Sequence, residues 1–482
     1  MESAVSKSTL PGAERAPNGH ARKPFARESS PPVLLPSAAE GVRSVRDRWT
    51  RLLRKVRPEN PLTVRATVAT GRLAALRRIL ADNAPGGGST ELTGALGGFA
   101  RIHFARFTLL EEHASETGDS IPASLVFCSD FDGTVAEQIE ELAAAPCFDA
   151  LFRCCAGFPE LPEPRGRATF LRQHRIAEAT FYANTLGRTV LQIRQEDQLR
   201  RSIEQLIDTQ DWSHLSDQQV RERIQHFVRG RPELAWALQP APGFNGPGWE
   251  RVRKLLERLD IAGALDRIRR LLPSARSNDH EPIDRPLNAH VRFLTHYEDW
   301  APQNPFGAVG FVRSGGLLWY EGLISVIPIS LLLPLADWLT YAVFNSGNLA
   351  GVRSIHFARW VPIDFVRSPY GFRVPRRALF FSNYDGSQEN YMGEFIDTVA
   401  WGLNATFSRA VGYPRSFGLV FDGAKNEQAF KHFIRRVQLQ TDVWYSAYPQ
   451  LSAANIASNA KIREGLVGPL DARETRAWLQ RF

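Results

Sequence analysis

The hydrophobic and polar positions from Leu62 to Ala69 (L-T-V-R-A-T-V-A) are rich in β-formers and predict a strand. Past Gly71 the pattern changes, and Leu73, Leu76 and Ile79 recur at helical spacing as far as Ala81. Two more strand-like runs, 102–109 and 125–131, flank a polar loop that contains Gly118. Thr134 and Glu137 have the spacing of a capping box and predict a helix through Leu142. Residues 175–184 then read as a strand and 186–207 as a long helix. The order strand, helix, strand, strand, helix, strand is that of a ferredoxin-like α+β sandwich, here with an appended closing helix.

The same pattern returns in the second half. Strands are predicted over 355–363 and 378–384, a helix over 389–399 capped by Ser387, a helix over 427–436, a strand over 437–447 and a closing helix over 452–466. The residues themselves also recur. Ile102-His-Phe-Ala-Arg-Phe107 and Ser129-Asp-Phe-Asp-Gly-Thr134 correspond to Ile355-His-Phe-Ala-Arg-Trp360 and Ser382-Asn-Tyr-Asp-Gly-Ser387. Val68, Thr70, Gly71 and Leu73 line up with Val312, Ser314, Gly315 and Leu317, and Phe170, Phe181, Tyr182 and Ile193 with Phe433, Trp444, Tyr445 and Ile456. The fold expected is therefore a tandem, duplicated pair of ferredoxin-like (βαββαβ) units, packed by their bare sheet faces as a dimeric-α/β-barrel-like domain. Its expected divisions are a disordered tail over 1–42, a first unit with a basic lead-in helix over 43–210, a helical linker over 211–300 and a second unit over 301–482. Strand alternation predicts His356, Ala358 and Trp360 on one sheet face, with Ile355, Phe357 and Arg359 on the other.

One part of the second half departs from the first. From Leu317 to Phe344 the chain is very apolar, although Pro328 and Pro334 interrupt it and Glu321 and Asp337 charge it. A spanning helix needs about 20 apolar residues with few charges, so the readings weighed are a buried helix or lid, a dip into a membrane surface, and a span. Near the start of the chain, Val45 to Val56 predicts a short helix with Trp49, Leu52 and Leu53 on one side and five cations around it. It reads either as docked on the body or as an anchor on anionic lipid.

Charge and cysteine usage narrow the class. Residues 1–58 hold twelve Lys and Arg against five acids, so +7 of the net +8 lies there. The body is nearly neutral, and nucleic acid is not expected as a partner. The four cysteines (Cys128, Cys147, Cys154, Cys155) form no CxxC pair, which argues against a thiolate zinc site or a disulfide framework and for a reducing, cytoplasmic setting. No secretory h-region is seen at the start, and a peripheral position at the inner membrane face is compatible with the basic helix.

Candidate chemistry falls in the second half. Arg359 and Asp385 are the candidate catalytic pair, and His356, His432, Trp360, Asn383, Tyr384 and Trp444 are candidates to hold a planar or apolar ligand, with Tyr448 nearby. His356, Arg359 and Asp385 have counterparts in His103, Arg106 and Asp132, which equally suits a role in folding. Asn383, Tyr384, Trp360 and Trp444 replace Asp130, Phe131, Phe107 and Phe181 of the first half.

The stretch His296-Tyr-Glu-Asp-Trp-Ala-Pro-Gln-Asn-Pro-Phe306, with Ile355-His-Phe-Ala-Arg-Trp360 and Ser382-Asn-Tyr-Asp-Gly-Ser387, resembles a family of uncharacterised bacterial proteins, which implies no activity. The expected tandem architecture is similar to that of dye-decolorising peroxidases and chlorite dismutases. Asn383-Tyr-Asp385-Gly386 lacks the leading Gly of the Gly-x-x-Asp-Gly motif of those peroxidases. That likeness implies a haem between sheet and helices, with Arg359 and Asp385 assisting peroxide heterolysis and His356 or His432 as the iron ligand. The other readings are non-catalytic binding of an apolar ligand, association with a membrane surface, and a purely structural or partner-binding role.

Overall fold

The computed structural model describes residues 58–85, 87–114, 120–239, 301–312, 351–367, 373–417 and 421–482, with Arg267, Ile268, Leu294, Asp299 and Leu349 in addition. The apolar run 317–344, the basic segment 45–56 and, within the expected helical linker, all but two of residues 249–272 lie outside the described residues.

The chain is an α+β protein with two five-stranded antiparallel sheets. In the first half the strands are β1 (Glu59–Thr67), β2 (Ile102–Leu110), β3 (Ser124–Asp132), β4 (Arg175–Ile176) and β5 (Thr180–Ala183). In the second they are β6 (Gln303–Phe311), β7 (Ile355–Arg367), β8 (Arg373–Asp385), β9 (Gln438–Leu439) and β10 (Val443–Ser446). Sheet order is β10-β2-β3-β1-β4 in one and β5-β7-β8-β6-β9 in the other. Each sheet thus takes its outermost strand from the opposite half.

This corrects the two predicted closing strands, 175–184 and 437–447. Each is broken in two. Arg175 and Ile176 pair with β1 in their own sheet, and Thr180–Ala183 then crosses to pair with β7. Likewise Gln438 and Leu439 pair with β6, and Val443–Ser446 crosses to β2. The crossing brings Trp444 opposite Arg106 and Phe181 opposite Arg359.

Helices cover the outer faces. α1 (Leu73–Asp82), α2 (Glu91–Gly97), α3 (Val135–Ala144) and α4 (Pro164–His174) bury Leu76, Leu96, Leu142 and Phe170 against Leu62, Phe107 and Phe127. The capping box read at Thr134 and Glu137 is present at the start of α3. Over the second sheet, α7 (Gln388–Phe407) and α8 (Glu427–Val437) bury Tyr391, Phe395 and Phe433 against Trp360, Phe380 and Tyr384. α7 runs eight residues past the predicted end, through a break at Val399. Each such buried Phe or Leu stabilises by about 1.5–3 kcal/mol relative to exposure. The closing helices α5 (Val190–Asp208) and α9 (Ala453–Val467) pack on each other, with α6 (Asp217–Arg229) and α10 (Ala472–Leu479) alongside.

The inner faces of the sheets meet. Leu110, Val126 and Cys128 pack against Val361, Ile363, Leu379 and Phe381. At one rim, Asp364 accepts from Arg65 of the facing sheet and from Arg377, both at 2.6 Å.

Candidate functional site

The recurring His and Asp are joined in each half. His103 sits at a bulge: Ile102 faces Phe131 and Phe104 faces Asp130, with His103 the extra residue between. His356 is the extra residue of the matching bulge, between Ile355 and Phe357. A bulge adds a residue to one strand and breaks its two-residue alternation. The predicted faces are corrected accordingly: Ile355 joins Ala358 and Trp360 in the outer core, and His356 leaves that face.

His103 Nε2 lies 3.0 Å from Asp132 Oδ1, and Asp132 Oδ2 accepts from Val190 N, 2.8 Å away at the start of α5. His356 Nε2 lies 2.6 Å from Asp385 Oδ1, and Asp385 Oδ2 accepts from Ala453 N, 2.7 Å away at the start of α9. Gly133 and Gly386 follow the aspartates at φ 100° and 75°, a left-handed turn that glycine adopts without strain. Each aspartate satisfies an N–H that a helix start leaves unpaired, where negative charge also meets the positive end of the helix dipole. The bulge carbonyls have a second use. His103 O accepts from Ala447 N and His356 O from Asn184 N, both at 2.8 Å, which fastens the end of each crossing strand.

The two arginines point inward and reach across. Arg359 donates to Leu62 O at 2.9 Å, to Thr63 Oγ1 at 3.2 Å, to Ser129 O at 2.8 Å and to Asp130 Oδ1. Arg106 donates to Phe306 O and Ser382 O, both at 2.7 Å, and to Asn383 Oδ1. Both side chains are buried, at 2% and 3% exposure. Between them Asn383 Nδ2 donates to Asp130 Oδ2 at 3.1 Å, and Trp444 Nε1 donates to Asn383 Oδ1 at 3.2 Å. Glu178, 3% exposed, places a carboxylate oxygen 3.8 Å from Arg359.

The two guanidinium groups differ electrostatically. Burial works against the Arg359 charge, but Asp130, Cys128 and Glu178 outweigh it and hold its pKa above the ordinary value. Burial lowers Arg106 to about 10, with Asp130 and Cys128 opposing incompletely. Burial pushes the Cys128 thiol and the Glu178 carboxyl up.

The two members of the candidate catalytic pair take different partners. Arg359 serves Asp130 in the facing sheet, while Asp385 serves His356 and α9. His356 packs on Phe104 with ring centroids 5.3 Å apart. Trp360 lies in the core beneath α7, 4.4 Å from Phe407, and Tyr384 stacks on Tyr391 at 4.3 Å. His432 is half-buried on α8, on the other side of sheet 2 from the arginines. Tyr448 bonds His103 Nδ1 at 2.8 Å, and burial holds its hydroxyl well above the ordinary range.

Neither of the two spaces beside the candidate residues holds a haem as the side chains stand. The gap between the sheets beside Arg106, Cys128, Asp130, Arg359 and Asn383 leaves about 10 Å³ for the centre of a water molecule. The groove under α7 beside Trp360, Phe380 and Phe433 leaves about 20 Å³. A drug-sized ligand occupies a pocket of roughly 300 Å³ or more. Among the described residues no group of three His, Cys, Asp or Glu is placed to hold a metal ion, and no helix is long and apolar enough to cross a membrane.

Residues that sequence reasoning passed over hold the centre: Arg106, Cys128, Asp130 and Glu178. A signal for two of them was present, since Arg106 and Asp130 are the first-half counterparts of Arg359 and Asn383. Comparison with protein-family models, with curated proteins and with solved structures finds no match.

Proposed function

We propose that the chain is a tandem of ferredoxin-like units, closed as a dimeric-α/β-barrel-like body, that binds without catalysis and works at the cytoplasmic surface of a membrane. The sheet orders support the first part: β4-β1-β3-β2 and β9-β6-β8-β7 are each the order expected of one such unit, extended by the strand that crosses over. The filled interior carries the second part. Arg106, Arg359, Asp130 and Asn383 use the space between the sheets to bond one half to the other, so binding falls to the outside of the body. The surface reading then rests on sequence. The apolar residues 317–344 join Phe311, at the end of β6, to Ile355, at the start of β7, and the cations of 1–58 suit anionic headgroups.

Flotation with vesicles tests this. The full chain is expected to float with phosphatidylglycerol-containing vesicles and to stay at the bottom with pure phosphatidylcholine. Removing residues 1–58 is expected to weaken flotation and lower its sensitivity to salt, since the apolar part of the binding is not screened. Absence of the full chain from the anionic vesicle fraction at low salt overturns the reading.

A further inference from the structure

Two contacts between the halves are reciprocal in geometry and unequal in charge. At the first, Arg359 reaches Asp130 while Arg106 reaches Asn383, the residue in the corresponding place. At the second, between α5 and α9, Arg463 reaches Glu196 at 3.4 Å while Arg200 reaches Asn459 at 3.5 Å. Glu196 and Asn459 correspond in the repeat, as do Arg200 and Arg463. In each case the first half supplies the acid and the second half the amide. Asp130, Asn383, Glu196 and Asn459 are all buried, at 4% exposure or less.

We infer that these acid–amide pairs make the interface selective, so that a first half pairs with a second half and neither pairs with its like. The geometry at the centre is the reason. Asp130 and Asn383 come from equivalent positions and touch, so an identical pair there would be an aspartate against an aspartate or an asparagine against an asparagine. Two aspartates there would set carboxylate oxygen against carboxylate oxygen, with no N–H where Asn383 Nδ2 now donates to Asp130 at 3.1 Å, and their repulsion opposes full ionisation of the pair even with Arg106 and Arg359 each facing one of them. Two asparagines remove Asp130, the carboxylate that acts on both buried guanidinium groups, and leave Glu178 3.8 Å from Arg359. The unlike pair avoids both faults: the amide donates to the carboxylate, and the carboxylate answers the guanidinium. Selectivity matters here because each half gives away its outermost strand, and a second copy of the chain offers the same sheet edges. The inference stands independently of the membrane reading.

Single substitutions place each like pairing's central contact inside the intact chain. Asn383→Asp sets Asp against Asp, and Asp130→Asn sets Asn against Asn. The double variant Asp130→Asn/Asn383→Asp restores an unlike pair in the opposite order. Thermal unfolding of the full chain at pH 8 is expected to show both single variants several degrees below the parent, with the double variant recovering most of the loss. For Asn383→Asp the deficit is expected to shrink at pH 5, where one carboxyl of the pair keeps its proton. The inference is overturned if the double variant melts no higher than the lower of the two single variants, or fails to fold as they do. It is also overturned if both single variants melt with the parent.

Discussion

The rim and the centre of the molecule treat the repeat in opposite ways. At the rim, His–Asp–helix contacts are the same in both halves: His103, Asp132 and Val190 in one, His356, Asp385 and Ala453 in the other. At the centre the arginines match, but the groups that receive them do not. The hydrogen bonds that join histidine, aspartate and helix start in each rim triad stay within one half, so each half meets the same local need and one solution serves twice. The central residues come from both halves and meet their own counterparts. There, identity places like beside like, and a difference between the halves is what allows a hydrogen bond.

The strongest way to break this comparison is to remove the arginines one at a time. Arg359→Met strands Asp130 and Glu178 in a buried site and leaves the carbonyls of Leu62 and Ser129 without that donor. Breaking a buried ion pair in this way costs about 3–5 kcal/mol. Arg106→Met leaves acceptors that carry no formal charge, Asn383 Oδ1 and two carbonyls, at about 1–3 kcal/mol. Urea unfolding of the two variants is expected to rank Arg359→Met well below Arg106→Met. Equal losses would mean that the charge difference at the centre has no energetic weight.

The rim carries the opposite expectation. Asp132→Ala and Asp385→Ala each remove an acceptor for a strand histidine and for the first N–H of a helix. Each is expected to lower stability by about 2 kcal/mol, and the two losses are expected to agree within about 0.5 kcal/mol, the range over which separate sites add. Urea midpoints measured side by side check this. A loss confined to Asp132→Ala would locate the difference in the Tyr448–His103 bond, which the first-half histidine has in addition.

Much of the rim could be read from the sequence and little of the centre. The recurrence of His356 and Asp385 at one spacing marked them as suited to a role in folding, and Gly386 marked the turn, although the sequence did not pair the two side chains with each other. The bulge did not show, because an extra strand residue needs no glycine or proline to announce it, and it turned His356 away from the face that alternation assigned. The crossing strands did not show either. Thr180–Ala183 and Val443–Ser446 are four residues each, and their composition fits an edge place in either sheet. Without the crossing, Arg359 reads as a charge on a strand and invites a catalytic role. With it, the same charge faces Asp130 across the interior. Asn383 was singled out because it differs between the halves, and it lies at the contact where a difference is required.

A smaller test concerns α3, where the first half lacks a bond that the second has. Tyr391 Oη donates to Ser382 Oγ at 2.8 Å. The corresponding residues are Gln138 and Ser129, and both are fully buried. Neither the amide of Gln138 nor the Ser129 hydroxyl has a hydrogen-bond partner. Gln138→Met keeps the length and removes two unpaired polar atoms, so it is expected to stabilise by about 1 kcal/mol. Thermal unfolding measures it, and a destabilised variant would point to a partner that the amide finds in solution.

The last test uses pH. Asp442 N donates to Phe107 O at the start of the crossing strand β10, as Ala179 N donates to Trp360 O before β5, but Ala179 carries no carboxyl. Asp442 Oδ2 accepts from Leu109 N at 2.8 Å. Burial nevertheless lifts its pKa to about 6. An unfolded aspartate titrates near 3.9, so the folded state holds this proton more tightly than the unfolded state does. The stability it contributes is therefore complete below about pH 4 and is lost as pH rises through about 6. Asp442→Asn retains a carbonyl acceptor for Leu109 and has no charge to form. At pH 7.5 it is expected to exceed the parent by on the order of 1 kcal/mol, and at pH 4 to match it. Chemical unfolding at the two pH values checks this. An advantage that stays constant with pH would assign the gain to something other than the buried charge, and the two crossing strands would then not differ in their response to pH through Asp442.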